Sequence, residues 1–398
     1  MATRRDVLRM SAQALVGASL AASPLGRVAA ANAENQKILV VLELSGGNDG
    51  LNTLVPYGDD AYYRHRPRLG IPAEKLLKID DHFGFREQMA GFERIYKSGQ
   101  MAIVHGCGYA QPSYSHFTSM SYWHSGAPNS GEAYGWVGRL ADQMVPQPND
   151  HMIVNIDATQ SQAVRSRRHT PVVFDAPDRF AREGEARQRD VFSLEVKPDS
   201  ARNSNHRFLR EVALSAQRAS AQVREAWSRY RSGVDYGLVN LDLPKIAALI
   251  EADFPARLYY TSFRNNAFDT HVYQNNLHAR LLTYASDAVA AFMSDLERIG
   301  RANDVVLLVF SEFGRRVPEN DNLGTDHGTA NLMFAMGPSV RGGHYGEVPS
   351  LTELDAGDNL IYTTDFRRVY ASVIEGWLGF ARSEQVLGDR FETFPMFS

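Results

Sequence analysis

Apolar residues in this chain gather in short unbroken runs more often than they alternate with polar ones. Ile38-Leu39-Val40-Val41-Leu42 is one such run and Val305-Val306-Leu307-Leu308-Val309-Phe310 is another. Runs of this kind predict strands buried on both faces, the habit of parallel sheets covered by helices. Residues 100–104, 152–156, 172–174, 258–261 and 332–335 read as further strands. Elsewhere the period lengthens. Leu277, Leu281, Ala285, Ala288, Phe292, Leu296 and Ile299 make one stripe of a helix over about 275–299, stopped by Gly300. Further helices are expected to start near Ser115 and to cover 208–231, 244–253 and 365–378. Strands alternating with helices, with no internal repeat, argue for an α/β fold: a mostly parallel central sheet with helices on both faces.

Residues 1–33 stand outside this pattern. Arg4 and Arg5 open a basic segment, a short Ala- and Ser-rich apolar stretch follows, and Ala31-Asn32-Ala33 offers a cleavage site. The expectation is a twin-arginine signal peptide, hence export to the periplasm through the twin-arginine machinery. The apolar stretch is too short for a membrane span, which takes ~20 strongly apolar residues. Residues 34–398 are expected to form a single large α/β domain. Within it 157–205 changes composition, with arginines at Arg165, Arg167, Arg168, Arg179, Arg182, Arg187 and Arg189. That segment reads as an insertion or cap, with an arginine-lined anion entrance as the alternative. A net charge of −4 gives no electrostatic case for nucleic acid. Cys107 is the only cysteine, so no internal disulfide exists, and it reads as a small buried residue.

In open α/β sheets ligands gather at the carboxyl ends of strands, and the chemistry-bearing residues fall there. Asn48 and Asp49 follow the first strand, Ser115 and His116 the second. Asp269 and His271 follow the strand at 258–261, and Glu312 ends the run at 305–310, with Asp326 and His327 on the loop beyond. Carboxylates and imidazoles so gathered suit a metal site. Asp269, His271 and His327 would form a three-ligand centre, with Asp326 as a ligand or as the partner of one. Glu312 needs a cation or Arg315 to neutralise it, and Asp49 is either a further ligand or a turn residue. Ser115, at a helix N-terminus, is the candidate nucleophile, with Ser113, Thr118 and Ser119 behind it. His116 reads as a general acid, a ligand or a packed residue. Gln274 and His278 are placed no closer than behind the ligands.

Taken in order, Ser45-Gly46-Gly47-Asn48-Asp49-Gly50, Ser115-His116-Phe117, Phe268-Asp269-Thr270-His271, Ser311-Glu312-Phe313-Gly314-Arg315, Gly324-Thr325-Asp326-His327-Gly328 and Gly342-Gly343-His344-Tyr345-Gly346 resemble the blocks of the exported bacterial family known as domain of unknown function 1501. That family looks like a distant branch of the alkaline phosphatase and sulfatase superfamily. The resemblance implies a mixed sheet between helices and two metal ions at its carboxyl edge. Asp269, His271 and His327 would match one ion site, and Asp49, Ser115 and Glu312 the other. Phe313 stands where the superfamily normally has a histidine, so the second ion would be absent, weak or differently ligated.

The resulting expectation is an exported hydrolase of small anionic phosphate or sulfate esters, using one or two divalent ions such as zinc, manganese or calcium. Asn48 would bond a non-bridging ester oxygen. The alternative is a non-catalytic exported binding or assembly protein that keeps the fold.

Overall fold

The computed structural model describes residues 37–149, 151–180 and 219–398. The expected signal peptide lies outside them, as do Arg182, Arg187 and Arg189 of the expected insertion and the first part of the helix expected over 208–231.

A nine-stranded sheet runs through the molecule. Its strands are β1 (Ile38–Leu44), β5 (Met101–Gly108), β6 (Ile153–Ile156), β7 (Val172–Phe174), β8 (Leu258–Phe263), β9 (Val305–Phe310), β10 (Asn331–Met336), β11 (Gly343–Tyr345) and β12 (Thr364–Asp365). Between β1 and β5 the short strands β2 (Leu54–Val55), β3 (Leu76–Lys78) and β4 (Gly84–Arg86) form a small antiparallel sheet. The main order is β11-β5-β10-β9-β1-β8-β6-β7, with β12 also paired to β5. All pairs are parallel except those of β10, which runs antiparallel to β5 and β9.

β1 shows why its run is unbroken. Val40, Leu42 and Leu44 enter one core with Phe92, Leu282 and Phe292, while Leu39 and Val41 enter the opposite core with Trp123, Trp136 and Tyr370. The first core is roofed by α2 (Ala90–Lys97), α5 (Leu243–Glu251) and α6 (Gln274–Arg298). The second is roofed by α3 (His116–Ser125), α4 (Trp136–Met144) and α7 (Arg367–Ser372), numbered after α1 (Asp60–His65). A strand buried on both faces has no polar side to alternate, which is the pattern the sequence carries. The helical stripe on α6 is buried as expected at Leu281, Ala285, Ala288, Phe292 and Leu296, but Leu277 stays exposed. Cys107 is fully buried and unpaired.

Because β1, β5, β8 and β9 are parallel, their carboxyl ends open on one edge. β10 runs the other way, so the loop that feeds it also reaches that edge. The loops after β1, β5 and β8 and the loop joining β9 to β10 therefore meet there. The turn after β1 needs glycine twice: Gly46 (φ +116°) leaves 2.6 Å between an added Cβ and the Asp269 nitrogen, and at Gly47 (φ +68°) a Cβ would strike the Phe313 ring.

Candidate metal centre

His116 is the first residue of α3, Asp269 and His271 lie on the loop after β8, and His327 lies on the loop entering β10. Their side chains converge. His327 Nε2 lies 3.0 Å from Asp269 Oδ1, and His271 Nε2 lies 2.9 Å from both that oxygen and His327 Nε2. His116 Nε2 sits 3.3 Å from Asp269 Oδ2 and, though buried, has no hydrogen bond. Among the described residues, His116, Asp269 and His327 are the one group whose donor atoms all lie within 4.8 Å of one another.

The outward nitrogens fix the tautomers. His116 Nδ1 is 2.7 Å from Glu312 Oε1, His271 Nδ1 is 3.3 Å from Asp326 Oδ1, and His327 Nδ1 is 2.7 Å from the Tyr114 carbonyl. Each partner can only accept, so each Nδ1 carries the hydrogen. In the neutral rings every Nε2 then presents a lone pair to the Asp269 carboxylate and to its neighbours. Lone pairs so close repel unless a proton or a cation lies between them. On a tetrahedral zinc with bonds of ~2.0–2.1 Å, ligand atoms sit roughly 3.3 Å apart. His116, Asp269 and His327 fit the three-ligand form of such an ion, with a fourth position left open and His271 beside them, and ligating histidines anchored through the other nitrogen are the usual support.

Arg315 holds the carboxylate. Its buried guanidinium donates to Asp269 Oδ1 (2.8 Å) and to the carbonyls of Gly46, Gly47, Phe268 and Thr325, stitching three loops together. Burial raises the Asp269 pKa, but the bond and charge of Arg315, with His327 alongside, outweigh it and bring it to about 2. Burial likewise opposes protonation of His116, yet the Glu312 bond and charge, with Asp269, lift it above the ordinary histidine value. At His327 burial prevails and its pKa falls.

Several expected roles change. Glu312 is not a member of the converging group: its carboxylate lies behind His116, accepting also from the Gly46 nitrogen at 2.9 Å and from Ser311 Oγ. Nor does it pair with Arg315, which is committed to Asp269. Asp326 supports His271 and accepts from Asn320 Nδ2. Asp49 points elsewhere: Arg66 Nη1 donates to its Oδ2 at 2.6 Å, and Gln274 Nε2 at 2.5 Å. A fully buried carboxylate needs such a cation, and no pattern in the sequence marks Arg66, seventeen residues on, as its partner. Asn48 is equally committed, its amide bonding Thr53 and its Oδ1 facing His278 Nε2 at 2.9 Å, so it is not free to bond an ester oxygen. Gln274 and His278 thus belong to this buried network behind the β1 turn.

Ser115 is the N-cap residue of α3, exposed, and its side chain makes no capping bond. Of the alternatives, Ser119 Oγ is used in a bond to the Glu312 carbonyl at 2.6 Å. Phe313 lies with its ring 4.9 Å from His116 and 4.8 Å from His327, centroid to centroid. It packs the two imidazoles from the side and offers no donor there.

The family model described as protein of unknown function (DUF1501) matches residues 36–366, and the chain belongs to that family. No curated protein matches it. Among solved structures it is similar, at 10% identity in each case, to a protein in the alkaline phosphatase superfamily from Vibrio parahaemolyticus (79% of this chain, TM-score 0.38). It spans 63% of that protein's length. It is also similar to the lipoteichoic acid synthase LtaP from Listeria monocytogenes (84% of this chain, 76% of that one, TM-score 0.38) and to the PsFucS1 sulfatase from Pseudoalteromonas sp. (95% and 74%, TM-score 0.40).

Proposed function

We propose that this protein is an exported hydrolase of phosphate or sulfate esters that depends on one divalent ion held by His116, Asp269 and His327, with His271 beside them. The observation that carries the reading is the set of three imidazoles, each anchored through Nδ1, turning Nε2 onto one carboxylate. Two imidazole nitrogens and a carboxylate suit zinc or manganese, leave a position open, and do not suit calcium, which takes oxygen ligands. Bound there, the ion supplies Lewis-acid charge to an ester oxygen.

The chain's own groups divide the rest. Asp269 is held ionised by Arg315, while Glu312, Asp326 and the Tyr114 carbonyl fix the ring orientations. Ser115 offers a hydroxyl at the N-terminus of α3, where backbone N–H groups and the helix dipole favour an anion. In the net reaction one water adds across the ester. The O–P or O–S bond breaks, the alcohol leaves with a proton from water, and the acid keeps the hydroxyl. Among the described residues no helix is long and apolar enough to cross a membrane. Export rests on the twin-arginine pattern at Arg4 and Arg5.

A second reading, an ion-bearing binding protein without turnover, is favoured by Phe313, whose ring packs beside His116 and His327 and offers no ligand on that flank. Metal analysis of the purified mature protein, run beside assays on aryl phosphate, phosphodiester and aryl sulfate, separates the two. Turnover that a chelator abolishes and zinc or manganese restores supports the hydrolase. One bound ion with no turnover of any ester supports the second reading.

A further inference from the structure

Of the nine large hydrophobic side chains exposed among the described residues, five lie on the two segments that carry His116 and His271, among them Tyr114, Phe117, Val272 and Tyr273. Phe117 is 86% exposed and Tyr273 73%. Two more, Ile361 and Tyr362, sit on a segment tied to the same place: Asn359 Nδ2 donates to the Tyr114 hydroxyl (3.0 Å), and Thr329, two residues after His327, donates to the Leu360 carbonyl. Scattered exposed hydrophobics need no explanation, but a concentration around one polar centre does.

The backbone adds a second observation. Tyr273 adopts φ 45°, ψ 45°, a left-handed conformation that costs a non-glycine residue on the order of 1 kcal/mol. It is held there by its N–H bond to the Asn322 carbonyl at 3.0 Å, and the next N–H bonds the Leu323 carbonyl at 2.8 Å. The loop thus pins, at some conformational cost, a tyrosine that touches water over most of its surface.

We infer that the ester handled by this centre has a large apolar alcohol half, which lies against Phe117 and Tyr273 while the charged end enters among His116, Asp269 and His327. The inference rests on the hydrolase reading and names its substrate class: an amphiphilic monoester, met as single molecules. Phe117 and Tyr273 lie next to His116 and two residues after His271 along segments that converge at the centre, where a molecule with a polar and an apolar end would meet both. A lipid bilayer fits less well, because the net charge is −4 and the carboxylates of Asp269 and Asp326 stand within the patch.

The test uses the zinc-loaded full mature chain and two probes, ethyl phosphate and decyl phosphate, the latter below its micelle concentration, with binding read by calorimetry. The wild type is expected to bind decyl phosphate at least about tenfold more tightly than ethyl phosphate, the scale of one to two buried apolar groups. Phe117→Ser with Tyr273→Ser should remove that preference and leave ethyl phosphate binding as it was. A wild type without chain-length preference, or a double variant that keeps it, overturns the inference. So does a double variant that loses only sedimentation with phosphatidylcholine vesicles, which would make the patch a membrane contact. Binding is measured without turnover, so an absence of hydrolysis of every ester would sink the hydrolase reading and leave the chain-length result to stand or fall separately.

Discussion

His116 donates from Nδ1 to Glu312 across 2.7 Å, and that bond turns its Nε2 toward Asp269. Glu312 sits at the end of an entirely apolar strand, fully buried, with Gly46 and Ser311 occupying its remaining lone pairs. It acts on the centre only through the ring it orients.

Glu312→Gln should therefore weaken ion affinity without emptying the site. Loss of a carboxylate behind a ligating histidine typically costs ~10–100-fold in affinity. Calorimetric titration with zinc checks it. An unchanged dissociation constant would mean that His116 does not ligate, and complete loss would mean that Glu312 touches the ion itself.

The Asp49–Arg66 pair makes the opposite prediction. Arg66→Ala leaves a fully buried carboxylate without its cation, which costs about 3–5 kcal/mol. The melting temperature should fall by many degrees, while Asp49→Asn should leave zinc affinity at the wild-type value. A loss of zinc binding in Asp49→Asn would return Asp49 to the centre.

Much of this was legible before any coordinates. The doubly buried strands β1 and β9 announce themselves as unbroken apolar runs, and the C-terminal ends of parallel strands tell where to look. The sequence placed Asp269, His271 and His327 on adjoining loops, and left His116 open among three roles. What it could not show is which side of each loop a carboxylate faces. Asp49 and Glu312 look equivalent in sequence, each after a buried strand beside glycines. Only the packing reveals that Arg66 lies under one and His116 beside the other. Arg315 is similar: its five bonds join loops distant in sequence, and no local pattern encodes them.

Ser115→Ala should abolish turnover while zinc affinity and melting temperature stay close to wild type. The side chain makes no capping bond, so its removal should cost no more than ~0.5 kcal/mol, the range of surface substitutions. Full activity in this variant would assign the attack directly to water.

Stability should fall on mild acidification for reasons separate from any ion. Burial holds His105, beside His344, and His278, among Asp49, Arg66 and Arg86, at a pKa of about 3 instead of the ordinary 6.5. Between those values the unfolded chain binds protons that the folded one refuses. The stability is thus complete above about pH 6.5 and is lost as the pH falls toward 3. Melting temperatures from pH 8 to 5 check it, with His105→Gln and His278→Gln combined expected to show a shallower decline. An identical slope would locate the acid sensitivity elsewhere.

The most direct test is a zinc titration of the protein beside Asp269→Ala and His327→Ala, with circular dichroism to show that each variant is folded. The wild type should take up one ion per chain, and each folded variant should bind at least about tenfold more weakly, the loss of a single ligand. A wild type that binds no ion, or folded variants that bind it as tightly as the wild type, would contradict the account.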